Sequence, residues 1–189
     1  MSGLYLASQS PRRTELLTQV GIEHTVVSSS YEEDNVVITD PIEMVKAQAL
    51  GKARCAEGVP EGGIILGADT IVVFNGQVLG KPHSKDEARV MLRTLSGQVH
   101  SVITGVALLI KGREIVFHNE TKVYFKTLAD FEIEYYIDSL EPMDKAGAYG
   151  IQGKGALWVD TIEGSYTNVV GLPVEHVYEE ICKALGVKS

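Results

Sequence analysis

Residues 64–74 read Ile-Ile-Leu-Gly-Ala-Asp-Thr-Ile-Val-Val-Phe, an almost unbroken apolar run that ends at Asn75-Gly76. A stretch this rich in β-branched residues, closed by Asn-Gly, predicts a buried strand that turns back through a tight hairpin into residues 77–79. Around it, strand and helix signals alternate. Residues 4–7 predict a short buried strand, and Ser10-Pro11 a helix start with a hydroxyl cap and proline in the first turn, running through Leu16, Leu17 and Val20 to Gly21. Residues 23–29 predict a second strand. Asp40-Pro41-Ile42-Glu43 opens a helix through Ala56 that stops at Gly58, and Ser84-Lys85-Asp86-Glu87 is a capping box for a helix ending near Gly97. A hairpin joins residues 101–110 to 115–125 across Lys111-Gly112-Arg113. Thr127 is the expected cap of a helix through Tyr136 and Leu140, residues 156–162 are a late strand, and Pro173 starts a last helix ending at Gly186. Alternation predicts an α/β fold. The hairpins require a mixed rather than purely parallel sheet, twisted, with flanking helices in two lobes.

Charges placed among apolar residues mark the candidate chemistry. Asp69 lies inside the apolar strand, where a carboxylate is costly unless a cation or metal pairs with it. It is either one half of a structural ion pair or a catalytic or metal-binding acid. Lys52 falls about 20° from Val45 around the second helix, within the stripe of Val45, Ala49 and Ala56. An inward lysine takes a buried carboxylate or a phosphate, or snorkels to the rim. Ser8-Gln9-Ser10-Pro11-Arg12-Arg13 carries a strand into a helix N-terminus. Amides and helix dipole there favour an anion and disfavour two arginines, unless something negative lies between them. A phosphate fits guanidinium forks, and a solvated helix start with arginines paired to Glu15 fits the same spacing.

Lys81 follows the hairpin that carries Asp69, so a second cation is expected to return towards it. Glu32 and Glu33 read as surface acids by composition. Residues 144–155 hold four glycines and Gln152. Glycines let backbone approach a ligand closely, and the Gln152 amide complements the carbonyl and imide N–H of a uracil or thymine edge. The Gly-Lys-Ser/Thr ending of a P-loop is absent.

With 189 residues and an apolar fraction of 44%, the chain suits one sizeable domain or two joined lobes. A formal charge of −8 does not advertise the broad basic face that stable nucleic-acid binding uses, but permits a local pocket for a small anion. Cys55 and Cys182 form no Cys-x-x-Cys pair and read as reduced, buried thiols. The first residues resemble no signal peptide, and no apolar run approaches the ~20 residues of a membrane span. A cytoplasmic location is expected, with no membrane partner.

Leu6-Ala7-Ser8-Gln9-Ser10-Pro11-Arg12-Arg13, Gly67-Ala68-Asp69-Thr70, Gly80-Lys81-Pro82, Leu95-Ser96-Gly97, the run from Glu141 through Gly153 and Val170-Gly171-Leu172-Pro173 together resemble the Maf family of nucleoside triphosphate pyrophosphatases. The match runs in order along almost the whole chain. It implies a single Maf-like domain over residues 1–189, related to the inosine triphosphate pyrophosphatases, with its active site in a cleft between lobes. It implies metal-dependent hydrolysis of a nucleoside triphosphate, with Mg2+, Mn2+ or a similar divalent cation, to the monophosphate and pyrophosphate. Asp69 matches the family's proton acceptor and metal-binding acid, with Glu33 a second metal ligand. Ser8, Arg12, Arg13, Lys52 and Lys81 match positions around the phosphates; Arg12, Thr70 and Gln152 match positions linked to substrate choice. Ala-Asp-Thr and Tyr-Gly-Ile-Gln-Gly resemble the branch acting on dTTP and UTP. A homodimer is suggested by resemblance only. The rival readings are a phosphatase or kinase, and a non-catalytic nucleotide-binding regulator of cell division.

Overall fold

The computed structural model describes residues 3–32 and 38–187. Among them, seven strands form one mixed sheet in the order β2-β1-β3-β5-β6-β7, with β4 paired to β3 off that path. β1 (Leu4–Ala7) lies parallel to both β2 (His24–Val26) and β3 (Ile64–Phe74). β4 (Gln77–Leu79) returns antiparallel along β3, placing Leu79 opposite Val72. Asn75 and Gly76 both take positive φ, 50° and 77°, as a two-residue hairpin turn requires. β5 (Val99–Ile110) and β6 (Arg113–Phe125) are joined by Lys111-Gly112, and β7 (Val159–Glu163) runs antiparallel to β6.

The chain divides into two compact units. One comprises Met1–Asp69, Thr104–Asn119 and Gly171–Ser189; the other comprises Thr70–Ile103 and Glu120–Val170. In the first, α1 (Pro11–Gln19), α2 (Pro41–Arg54) and α6 (Val174–Leu185) accompany the strands. Its interior holds Leu6, Leu17, Val45, Leu66, Leu108 and Leu172, all fully enclosed. Two strand glycines set how closely α2 approaches. A Cβ on Gly67 would sit 2.2 Å from the Ala49 carbonyl oxygen, and one on Gly105 would sit 2.3 Å from the Val45 backbone. Since the obstructing atoms are backbone, no side-chain rotation could relieve such a clash. The helix therefore lies directly on the sheet, through a small-residue cluster of Ala49, Ala53 and Ala107.

The second unit packs α3 (Lys85–Leu95) and α4 (Asp130–Asp138), burying Leu92, Leu95, Ile133, Tyr136 and Ile137. Arg89 grips Glu134 across the pair, its Nη2 2.7 Å from Oε2. A short α5 (Tyr166–Val170) and several 3-10 turns between Glu141 and Trp158 complete it.

Several boundaries differ from the expectation. Ser10 starts α1 but makes no side-chain cap; its amide donates to Ser8 Oγ instead. Helix α2 ends at Arg54 rather than continuing through Ala56, because Ala56 leaves the helix to bridge Ser29. Of residues 23–29, only His24–Val26 form the strand. Helix α4 starts after Ala129, not Thr127, since Glu132 reaches back to accept the Ala129 amide at 2.8 Å. A 3-10 turn occupies Gly153–Trp158, so the late strand starts only at Val159. Asp40 and Ser84 cap as expected, accepting from Glu43 and Glu87 amides at 2.9 and 3.1 Å. No helix among the described residues is long and apolar enough to cross a membrane.

Candidate active site

Parallel pairing of β1 with β3 decides where the charged residues emerge. Ala7 stands opposite Gly67 as the last pair of the β1–β3 ladder, so Ser8 follows the carboxyl end of β1 while Asp69, mid-strand in β3, lies two residues beyond that ladder. Ligands of open α/β sheets bind at this end of the strands. Beyond Ala7 the chain turns into α1, and Ser8 Oγ becomes the centre of that turn. It accepts the Ser10 amide at 3.3 Å and Arg13 Nη1 at 2.8 Å. Arg13 is itself buried, and its Nε donates to the Gly171 carbonyl at 2.7 Å. The two arginines of this turn therefore differ. Arg13 faces inward and ties the turn to the segment before α6, while Arg12 stays half-buried at the helix start.

Lys52 and Asp69 meet. Nζ lies 2.7 Å from Oδ1, and each side chain retains only 16% of its surface exposed. The close seat of α2 on Gly67 and Gly105 explains this, since Lys52 lies between Ala49 and Ala53, the two residues packed against Gly67. The inward lysine and the strand carboxylate, each expected to need a partner, supply one another. At this burial a single-partner deletion would leave a charge poorly solvated, so the pair is held together by mutual need as well as by geometry.

Thr70, the next residue of β3, opens the second unit, together with Lys81 and Gln152. Lys81 is exposed just beyond β4. Gly80 leaves the ladder there, and its carbonyl accepts the Gly147 amide at 3.0 Å, joining the Lys81 turn to the glycine-rich segment. Gln152, half-buried, lies further along that segment. Glu33 lies outside the described residues. Gly171 stands in one of the runs that carry the resemblance, but nothing in the residue pattern revealed that its carbonyl holds Arg13; a backbone oxygen 158 residues away has no sequence signal. Gly67 and Gly105 had one, since glycine inside a strand marks a close backbone approach.

The family model for Maf-like proteins matches residues 3–184. The chain belongs to the Maf family. Several relatives that align over nearly the full chain carry the name dTTP/UTP pyrophosphatase. A protein of Symbiobacterium thermophilum is 50% identical over 179 residues, covering 95% of this chain and 92% of its own. One from Carboxydothermus hydrogenoformans is 49% identical over 180 residues, covering 94% and 96%. One from Bacillus cytotoxicus is 46% identical over 181 residues, covering 96% and 95%.

Proposed function

We propose that the chain is a hydrolase that converts dTTP and UTP to the monophosphate and pyrophosphate. The observation that carries this reading is the Lys52–Asp69 pair in the middle of β3, just past the end of its pairing with β1 and one strand from the Ser8–Arg13 turn. The relatives' shared name supports the substrate class.

In the proposed reaction a water oxygen attacks the α-phosphorus. The Pα–O bond to the bridging oxygen breaks as the new P–O bond forms, and the leaving group departs as pyrophosphate. Asp69 accepts the proton lost by the attacking water. Lys52 orients the Asp69 carboxylate through the 2.7 Å contact. Arg12, with Lys52 and Lys81, stabilises negative charge on the departing phosphates. Arg13 holds Ser8 and the helix start in the shape that receives the anion. Thr70 and Gln152 contribute to base choice.

The carboxylate of Asp69 is a hard oxygen donor suited to Mg2+ or Mn2+. No group of three His, Cys, Asp or Glu side chains among the described residues could hold a metal ion. That donor set fits a cation carried largely by the substrate, because Mg2+ is commonly held by one or two carboxylates together with phosphates. Asp69, with Glu33, would hold it, and when bound it supplies charge neutralisation for the triphosphate. Cys55 and Cys182 are both free thiols, which supports a reducing, cytoplasmic compartment.

The deciding assay incubates the protein with each nucleoside triphosphate and Mg2+ or Mn2+ and identifies the products. Pyrophosphate with dTMP or UMP is expected. Release of orthophosphate would instead identify a phosphatase, and nucleotide binding without turnover would identify a regulator.

A further inference from the structure

The segment carrying Gln152 takes a shape that its own backbone preferences do not favour. Gly147 and Ala148 are consecutive residues in the left-handed region, at φ 67° and 60°. Ala148 has a Cβ, which opposes that conformation. A few residues on, the chain doubles back so tightly that a Cβ on Gly155 would lie 2.2 Å from the Gly150 carbonyl oxygen. A strained segment persists only where its surroundings over-determine it.

Two buried phenols do so. Tyr136 accepts the Gly150 amide at 3.1 Å and donates to Glu141 Oε1 at 3.0 Å. Tyr149, which directly follows Ala148, places its hydroxyl 2.7 Å from His100 Nε2 on β5. The imidazole is boxed edge-on by Phe125 at 4.9 Å and Tyr149 at 5.3 Å, and is only 3% exposed. Burial lowers His100 to about 4 and pushes the Tyr149 hydroxyl far above its ordinary range. Both groups are therefore neutral near pH 7, and the phenol and Nε2 share one hydrogen bond whose donor is set by the imidazole tautomer. The other ring nitrogen, Nδ1, meets no protein partner among the described residues. A buried polar atom without a partner weakens a core. An aliphatic residue would remove that orphan but leave the buried Tyr149 hydroxyl stranded instead, so what the histidine contributes here is its hold on Tyr149.

We propose that His100 and Tyr149 are positioning residues that fix the Tyr149–Gln152 stretch, and through it the preference of the enzyme for a thymine or uracil edge over cytosine. The inference rests on the reading of the chain as a dTTP/UTP pyrophosphatase. Neither side chain touches substrate in this role. The hydrogen bond sets where the backbone of residues 149–152 lies, and so where the Gln152 amide presents its donor and acceptor.

The test measures kcat and KM for dTTP, UTP and dCTP, together with Tm, in the unmodified protein and in Tyr149→Phe, His100→Leu, His100→Gln and Gln152→Ala. Tyr149→Phe removes a single oxygen and is the variant most certain to fold. The kcat/KM ratio of dTTP over dCTP is expected to fall about tenfold in Tyr149→Phe and His100→Leu, the worth of one well-placed hydrogen bond. His100→Gln, whose amide keeps both a donor and an acceptor in the region of Nε2, should recover most of it. Combining Tyr149→Phe with Gln152→Ala should lose no more discrimination than Gln152→Ala alone, because both act on one recognition event. A lower Tm with the dTTP/dCTP ratio within twofold of the unmodified protein would reduce the pair to core packing and overturn the inference. Failure of the unmodified protein to release pyrophosphate from dTTP would instead remove the functional reading beneath it.

Discussion

Asp69 and Lys52 are the residues on which the proposed chemistry turns. Asp69→Asn preserves shape and removes the proton acceptor, so kcat on dTTP is expected to fall at least about a thousandfold. Tm should stay within a few degrees, because the amide still accepts from Lys52; a kcat within tenfold of the unmodified enzyme would remove Asp69 from its role. His100 makes a second prediction, about stability. Burial holds it at about 4 in the folded protein, whereas an unfolded histidine titrates near ~6.5. Between those values the unfolded chain binds the proton and the folded one does not, so stability is full above about pH 6.5 and is lost as pH falls towards 4. The slope from this group approaches about 1.4 kcal/mol per pH unit. Urea unfolding at pH 7 and pH 5 should show it, and the gap between the unmodified protein and His100→Gln should narrow at the lower pH. At this scale the sequence was informative but incomplete. A carboxylate in an apolar strand and a lysine in an apolar stripe each announced a missing partner; that each is the other's partner required the fold.

Helix α2 is where local pattern and packing meet. Its start was legible from Asp40-Pro41, because a cap is made by residues adjacent in sequence. Its end was not, because Ala56 is drawn away by Ser29, a residue from a different part of the chain. Its seat on the sheet depends on Gly67, where an added methyl group would meet the Ala49 carbonyl. Gly67→Ala should therefore destabilise the protein by about 1–3 kcal/mol. It should also depress kcat, because displacing α2 carries Lys52 away from Asp69. Gly80→Ala is the matching control for stability, since its Cβ would meet nothing within 4 Å; a change within about 0.5 kcal/mol is expected. Equal losses of stability in both variants would show that the close approach at Gly67 is not what matters.

For the whole molecule, the measurable consequence of the site is linkage between ligand and fold. A non-hydrolysable dTTP analogue at ~100 times its Kd stabilises a folded chain by about 2.7 kcal/mol. In a chain of this size that corresponds to roughly 5–10 °C in Tm. The shift is expected with Mg2+ and should shrink when EDTA removes the metal; a shift unchanged by EDTA would defeat the metal dependence. What residue order alone dictated was the alternation of strands and helices, the hairpins and the caps at Asp40 and Ser84, since these depend on neighbours a few positions apart. It also dictated the family, because the motifs run in order from Leu6 to Pro173. Only the folded molecule decided that Lys52 meets Asp69, that Arg13 turns inward onto Ser8 and Gly171, and that His100 anchors Tyr149. Those partners are separated by 17, 5 and 158, and 49 residues respectively. The longer of these pairings are selected by how the helices and strands pack, and local pattern does not encode that packing.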